Sequence, residues 1–175
     1  MLILFLLVDV IPNRFFFALF LFIVASITDH LDGKLAKKYG QITNLGKFLD
    51  PLADKMLVMS ALICFVDLKL ISSVPVIVIL LREFLVTSIR LTAMSCGKVV
   101  AANIWGKAKT VTQIIAIIAV LISQCVVQVN SHLTYNDLCF IRVINSFFVW
   151  ISAFFTVLSG CLYMKENFKC IKNSK

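Results

Sequence analysis

Two stretches of this chain carry no charge and are long enough to decide its setting. Val111–Val129 runs 19 residues and Val143–Met164 runs 22 without a single Asp, Glu, Lys or Arg. At about 1.5 Å of rise per residue, either can cross a hydrocarbon core of about 30 Å as a helix. The competing reading, core helices of a large soluble fold, fits poorly with the rest of the chain. Its residues are 61% hydrophobic and only 15% charged, with a mean hydropathy of +0.99, whereas soluble domains are about 25% charged. The expected class is an all-α, polytopic membrane protein. In that setting the net charge of +8 points to loops lying on anionic lipid. No basic patch interleaved with aromatics points to nucleic acid.

Apolar runs and their breakers outline six helical segments in one domain, residues 1–175. They cover Met1–Val8, Phe15 to about Lys38, about Asn44–Val66, Ser73–Ser95, Ile104–Val129 and Leu138–Met164. Tyr39-Gly40 offers a glycine stop for the second. The expectation is a six-transmembrane-helix bundle whose first helix is truncated, because Met1–Val8 rises only about 12 Å. It lacks the basic flank and small-residue cleavage site of a signal peptide, so it is either a partial helix or the remainder of a longer N-terminal piece. Twelve Lys and Arg residues fall on one side of this topology and three (Arg14, Lys69, Arg142) on the other. By the positive-inside rule, both termini and the segment from Ser26 to Lys55 face the cytoplasm of a multi-pass cell-membrane protein.

That segment holds Asp29, Asp32, Asp50 and Asp54, four of only nine acidic residues. Asp29 and Asp32 are three apart on the second helical segment, and Asp50 and Asp54 are four apart on the third, so each pair lies on one face. A solvated loop has no reason to pair acids at helical spacings between apolar runs, and intramembrane acids are functional by default. Converging carboxylates would repel one another unless a cation were present. All-oxygen donors without His or Cys suit a hard ion, Mg²⁺ or Mn²⁺. Two such ions bridged by shared carboxylates balance the charge best and can clamp a phosphoryl displacement. Gly33, Ala36 and Gly46 keep the wall low for a bulky phosphate-bearing ligand.

The pattern Asp29-x2-Asp32-Gly33-x2-Ala36-Lys37-x8-Gly46-x3-Asp50-x3-Asp54 resembles the signature of the CDP-alcohol phosphatidyltransferase family. One position departs: the family usually has arginine where this chain has Lys37, which keeps the charge but loses the planar fork that grips phosphate at two points. The resemblance implies six transmembrane helices, a homodimer and a CDP-linked lipid donor. It implies two divalent ions held by Asp29, Asp32, Asp50 and Asp54, with Asp54 also taking the acceptor hydroxyl's proton. Asp32, Gly33, Ala36, Lys37 and Gly46 would line the donor site. The chain's start departs too. Family members usually open with an amphipathic Pro-Asn segment, and Pro12-Asn13 lies too near the aspartates to be that element.

Two later stretches bear on the acceptor. "LLREFLVTSIR" puts Arg82, Glu83 and Arg90 in an otherwise apolar helix, with Glu83, Thr87 and Arg90 on one stripe. "WGKAKTVTQ" opens the next helix with Lys107 and Lys109. Cations at the edge of a bilayer need anionic partners. With the aspartates matched to metal, a phosphate-bearing acceptor answers the excess. Together with "FLDPLADK", these stretches resemble the branch of the family that joins CDP-diacylglycerol to sn-glycerol 3-phosphate, and Arg82, Arg90, Lys107 and Lys109 are expected on the acceptor phosphate. Ordinary interfacial anchoring remains open for Lys107 and Lys109. Other readings also remain: a cardiolipin synthase of the same fold, an inositol-phosphate or serine acceptor, a divalent-cation transporter, or an inactive scaffold. The six cysteines show no metal spacing and read as packing residues. His132 reads as a loop residue, Trp105 and Trp150 as interfacial or packing residues, and Leu138–Met164 as scaffold.

Overall fold

In the computed structural model, the backbone is described for residue 6 and for residues 13–39, 44–95, 104–130 and 133–172. Side chains 29–39, 44–54, 90–95, 104–105 and 166–172 lie outside the described residues. Among the described residues the chain is all-helical, with five helices: α1 (Arg14–Tyr39), α2 (Asn44–Asp67), α3 (Ser73–Ser95), α4 (Ile104–Val129) and α5 (Tyr135–Lys172). Four begin and end within a residue or so of the breaks read from the sequence. The Met1–Val8 segment lies outside the described residues apart from Leu6, which is buried in the core.

The last helix differs from its expected bounds. Asp137 caps the helix start as in half of a capping box, the Thr134 amide donating to Asp137 Oδ2 at 2.9 Å, while the Asp137 amide donates to the Thr134 backbone carbonyl at 3.0 Å. This satisfies N-terminal groups that would otherwise lack partners, so α5 starts at Tyr135 and not at Leu138. It continues to Lys172 over 38 residues, about 57 Å of rise. Between α2 and α3 the chain turns in a Schellman motif. Lys69 takes the left-handed position at φ 55°, and the Leu70 amide reaches back to the Phe65 carbonyl at 2.9 Å. That position usually falls to glycine. Pro75 fits because it lies in the first turn of α3, where its missing N–H has no intrahelical partner to lose.

Helix α4 is the hub: it packs on α1, α2 and α5, while α3 packs on α2 and α5. Ala116, Ile117, Val120 and Leu121 of α4 are buried, at the spacing of one helical stripe. They meet Ala18 and Phe22 of α1, Leu62 and Phe65 of α2, and Val149 and Ala153 of α5 in one core cluster. The polarity of this bundle is inverted relative to a water-soluble one. Phe20 and Phe147 are 66% and 62% exposed, and Phe84, Leu85, Trp150 and Phe154 also face outward. Glu83, Lys109, Gln113, Asn145, Thr156 and Ser159 are inside. An apolar exterior around a polar interior suits lipid, where helices associate through close packing and buried hydrogen bonds instead of through the hydrophobic effect.

Gly106–Val129 and Tyr135–Lys165 are long and apolar enough to cross a membrane, and Arg14–Thr28 is a shorter apolar helix. Cys64 and Cys125 are buried as packing residues, but Cys139 and Cys161 lie on the outer face. Trp150 faces outward as well. His132, Cys96, Cys170 and the Trp105 side chain lie outside the described residues.

Candidate functional site

The described charges converge on one carboxylate. Glu83, on α3, is only 4% exposed, and Lys109, one and a half turns into α4, is 7% exposed. Lys109 Nζ donates to Glu83 Oε1. From the neighbouring position on α3, Arg82 Nη1 lies 3.4 Å from the same oxygen. Lys55 of α2 places its Nζ 3.8 Å from Glu83 Oε2 and also donates to the Thr87 hydroxyl. Thr87 in turn donates to the Glu83 carbonyl at 2.7 Å. Three helices thus close around Glu83, and α5 adds a fourth wall. Arg82 Nη2 donates to Ser159 Oγ at 2.8 Å, and Gln113 Nε2 donates to the Thr156 hydroxyl at 3.4 Å.

Among the described residues one carboxylate, that of Glu83, faces three cations, Lys55, Arg82 and Lys109. Taking a charge out of water costs several kcal/mol unless it is paired, so cations drawn together from three helices make a favourable place for anionic groups. A phosphate is such a group. Preorganised cations among apolar walls also act more strongly on it than they would in water.

Of the basic residues expected at an acceptor, Arg82 and Lys109 are brought together. Lys107 is exposed; it is two residues from Lys109, about 200° around the helix, and stands outside the cluster. The Arg90 side chain lies outside the described residues. Asp29 and Asp32 fall within α1, and Asp50 and Asp54 within α2. Their side chains, and those of Ala36 and Lys37, lie outside the described residues, as do the surroundings of Gly33 and Gly46. Among the described residues no three His, Cys, Asp or Glu side chains gather as metal ligands. For the aspartates the test is the donor set and its placement. Four carboxylates at three- and four-residue spacing occupy helical backbone on α1 and α2, and both helices pack on α4. That set fits hard divalent ions.

Sequence reasoning missed four participants. It noted Glu83 only as part of a stripe, although a lone acid in an apolar helix is itself a strong signal. Lys55 directly follows Asp54 and was overshadowed by it. Ser159 and Gly160 sit in a helix read as scaffold, and nothing local distinguishes them.

With this geometry in hand, known proteins supply the family. Residues 1–158 match the family model described as CDP-alcohol phosphatidyltransferase. A Bacillus subtilis protein named CDP-diacylglycerol--glycerol-3-phosphate 3-phosphatidyltransferase is 46% identical over 154 residues, 88% of this chain and 75% of its own length. A protein of the same name from Rickettsia bellii is 38% identical over 83% of this chain and 75% of its own length. One from Mycoplasma pneumoniae is 34% identical over 87% of this chain and 66% of its own length. A family match over residues 1–158, with relatives at 46% and 38% identity over most of the chain, leaves one assignment: this chain belongs to the CDP-alcohol phosphatidyltransferase family.

Proposed function

We propose that this chain is a transferase of phospholipid biosynthesis that moves the phosphatidyl group of CDP-diacylglycerol to sn-glycerol 3-phosphate, giving phosphatidylglycerophosphate and CMP. Relatives bearing that activity in their names support the donor and acceptor. The observation that carries the acceptor is the convergence of Lys55, Arg82 and Lys109 from three helices on one place, which suits the denser charge of a free phosphate monoester better than that of a lipid phosphodiester. A phosphodiester brings one negative charge, already seated at the interface; glycerol 3-phosphate brings about two that must leave water.

In this reading Asp29, Asp32, Asp50 and Asp54 hold two divalent ions, Mg²⁺ or Mn²⁺. When bound, such ions neutralise charge building on the pyrophosphate. Asp32, Gly33, Ala36, Lys37 and Gly46 line the donor site. Arg82 and Lys109, with Arg90 and the more peripheral Lys107, take the acceptor phosphate, and Lys55 extends their field towards the aspartates. The acceptor's 1-hydroxyl attacks the phosphorus that carries the diacylglycerol, and Asp54 accepts its proton. The bond from that phosphorus to the CMP oxygen breaks as the new ester bond forms. The protein acts as one domain in a six-helix, multi-pass fold of the cell membrane, paired as a homodimer, with the site and both termini towards the cytoplasm.

The deciding experiment follows CMP release in detergent with CDP-diacylglycerol, either metal, and a panel of acceptors. Glycerol 3-phosphate is expected to be the best acceptor, and glycerol lacking the phosphate a very poor one. Preference for phosphatidylglycerol would replace this reading with a cardiolipin-type reaction. Divalent-cation flux through liposomes without turnover would replace it with a transporter.

Two variants sharpen the site. Arg90→Ala raises the glycerol 3-phosphate KM roughly tenfold, the scale of one charge-assisted hydrogen bond, and leaves the donor KM unchanged. An unchanged acceptor KM removes Arg90 from the site. Lys37→Arg restores two-point phosphate contact, so the CDP-diacylglycerol KM is expected to hold or fall. A large rise would mean the donor site is shaped around lysine.

A further inference from the structure

Arg82 is held at two nitrogens by two different helices. Nη1 faces Glu83 Oε1 at 3.4 Å, beside it on α3, and Nη2 donates to Ser159 Oγ at 2.8 Å, on α5. Its stem crosses Gly160. A Cβ built on Gly160 would lie 3.0 Å from Arg82 Cγ, 3.2 Å from Nε and 3.7 Å from Cδ. All three of its nearest atoms belong to Arg82, so the absent side chain at 160 is the channel through which this arginine runs. An unrestrained arginine has many rotamers, and fixing it costs side-chain entropy. A guanidinium anchored at both Nη atoms has a defined plane before any phosphate arrives.

We infer that Ser159 and Gly160 are positioning residues for Arg82: the hydroxyl sets the plane of the guanidinium, and the missing Cβ sets its depth. Helix α5 then contributes to acceptor binding without touching the acceptor. Both positions follow the family-matched residues 1–158. The inference rests on the reading that Arg82 binds the acceptor phosphate, and its test separates the two.

The test measures CMP release against glycerol 3-phosphate and against CDP-diacylglycerol for wild type, Arg82→Ala, Gly160→Ala, Ser159→Ala, Ser159→Thr and the double variant Arg82→Ala/Gly160→Ala. Detergent melting curves are recorded for each. Gly160→Ala is expected to raise the acceptor KM about fivefold, because Arg82 must shift by a few tenths of an ångström, and to leave kcat and donor KM within about twofold. Ser159→Ala gives a similar rise of about three- to tenfold, the scale of one lost hydrogen bond, and Ser159→Thr, which keeps the hydroxyl, restores most of the affinity. In the Arg82→Ala background Gly160→Ala changes nothing further, since the side chain it would displace is gone. An equal effect of Gly160→Ala with and without Arg82 overturns the inference and makes the glycine a packing residue. Wild-type acceptor KM in both Gly160→Ala and Ser159→Ala, beside a raised KM in Arg82→Ala, overturns it while sparing the acceptor site. An unchanged acceptor KM in Arg82→Ala overturns the acceptor role of Arg82, and the positioning role with it.

Discussion

Exchanging any one of Asp29, Asp32, Asp50 or Asp54 for Asn is expected to lower kcat by a factor on the order of 10² or more, the scale of removing one preorganised electrostatic contributor. The substitution removes one negative charge and one hard ligand with almost no change of volume, so the helices have little reason to repack. The deficit should fall on kcat and on kcat/KM together, because the lost stabilisation belongs to the transition state. Raising the divalent-ion concentration should recover part of the rate if weakened metal affinity is the cause. Initial rates of CMP release, with and without excess Mg²⁺ or Mn²⁺, decide the matter. Near-wild-type turnover in two of the four variants, in protein that elutes and melts as the wild type does, would sink the metal-centre assignment.

The second large effect is expected at Glu83, and in stability before activity. Glu83→Gln leaves Lys109, Arg82 and Lys55 around a neutral amide, although Glu83 and Lys109 are both buried. Breaking a buried ion pair by removing one partner costs about 3–5 kcal/mol, mostly the penalty of the charge left behind. Lys109→Met should be damaging for the mirror reason, leaving the carboxylate with Arg82 and Lys55 alone. Removing both members, in Glu83→Gln/Lys109→Met, should destabilise by clearly less than the two single losses together. That non-additivity marks a direct pair. Thermal unfolding of the four proteins in one detergent measures it. Additive losses, or a Glu83→Gln melting temperature equal to that of wild type, would mean that the network is solvated and contributes little to the fold.

These two sites were unequally legible. The acids announce themselves because a charge in an apolar helix is expensive, and pairs at three and four residues are a periodic signal readable along one helix. Lys109 and Arg82 were legible as cations needing an anionic partner. The aspartates and a bound phosphate were considered, while Glu83, adjacent to Arg82 in the chain, was passed over. The pairing of Glu83 with Lys109 spans 26 residues of sequence, and no local pattern encodes which two helices meet at that depth. The separation of Lys107 from Lys109 was readable in principle, since alternate residues on a helix point nearly opposite ways.

The amino-acid sequence by itself determined the helical class and the boundaries of α1 to α4, because charge-free runs, glycine stops and polar turns act over a few neighbouring residues. It also determined the acid signature, whose chemistry depends only on residue type and spacing. The extent of α5 lay at the edge of its reach. Thr134 and Asp137 are close in sequence, yet the cap that the Asp137 carboxylate makes on the Thr134 amide was passed over. Only the tertiary structure decided that α4 is the hub, that one carboxylate gathers cations from three helices, and that Ser159 and Gly160 hold Arg82. The last contact joins residues 77 apart in the chain. The reason is physical: in an apolar environment a polar side chain takes whichever partner the packing brings within about 3 Å, and that partner is set by how helices cross, which no single helix specifies.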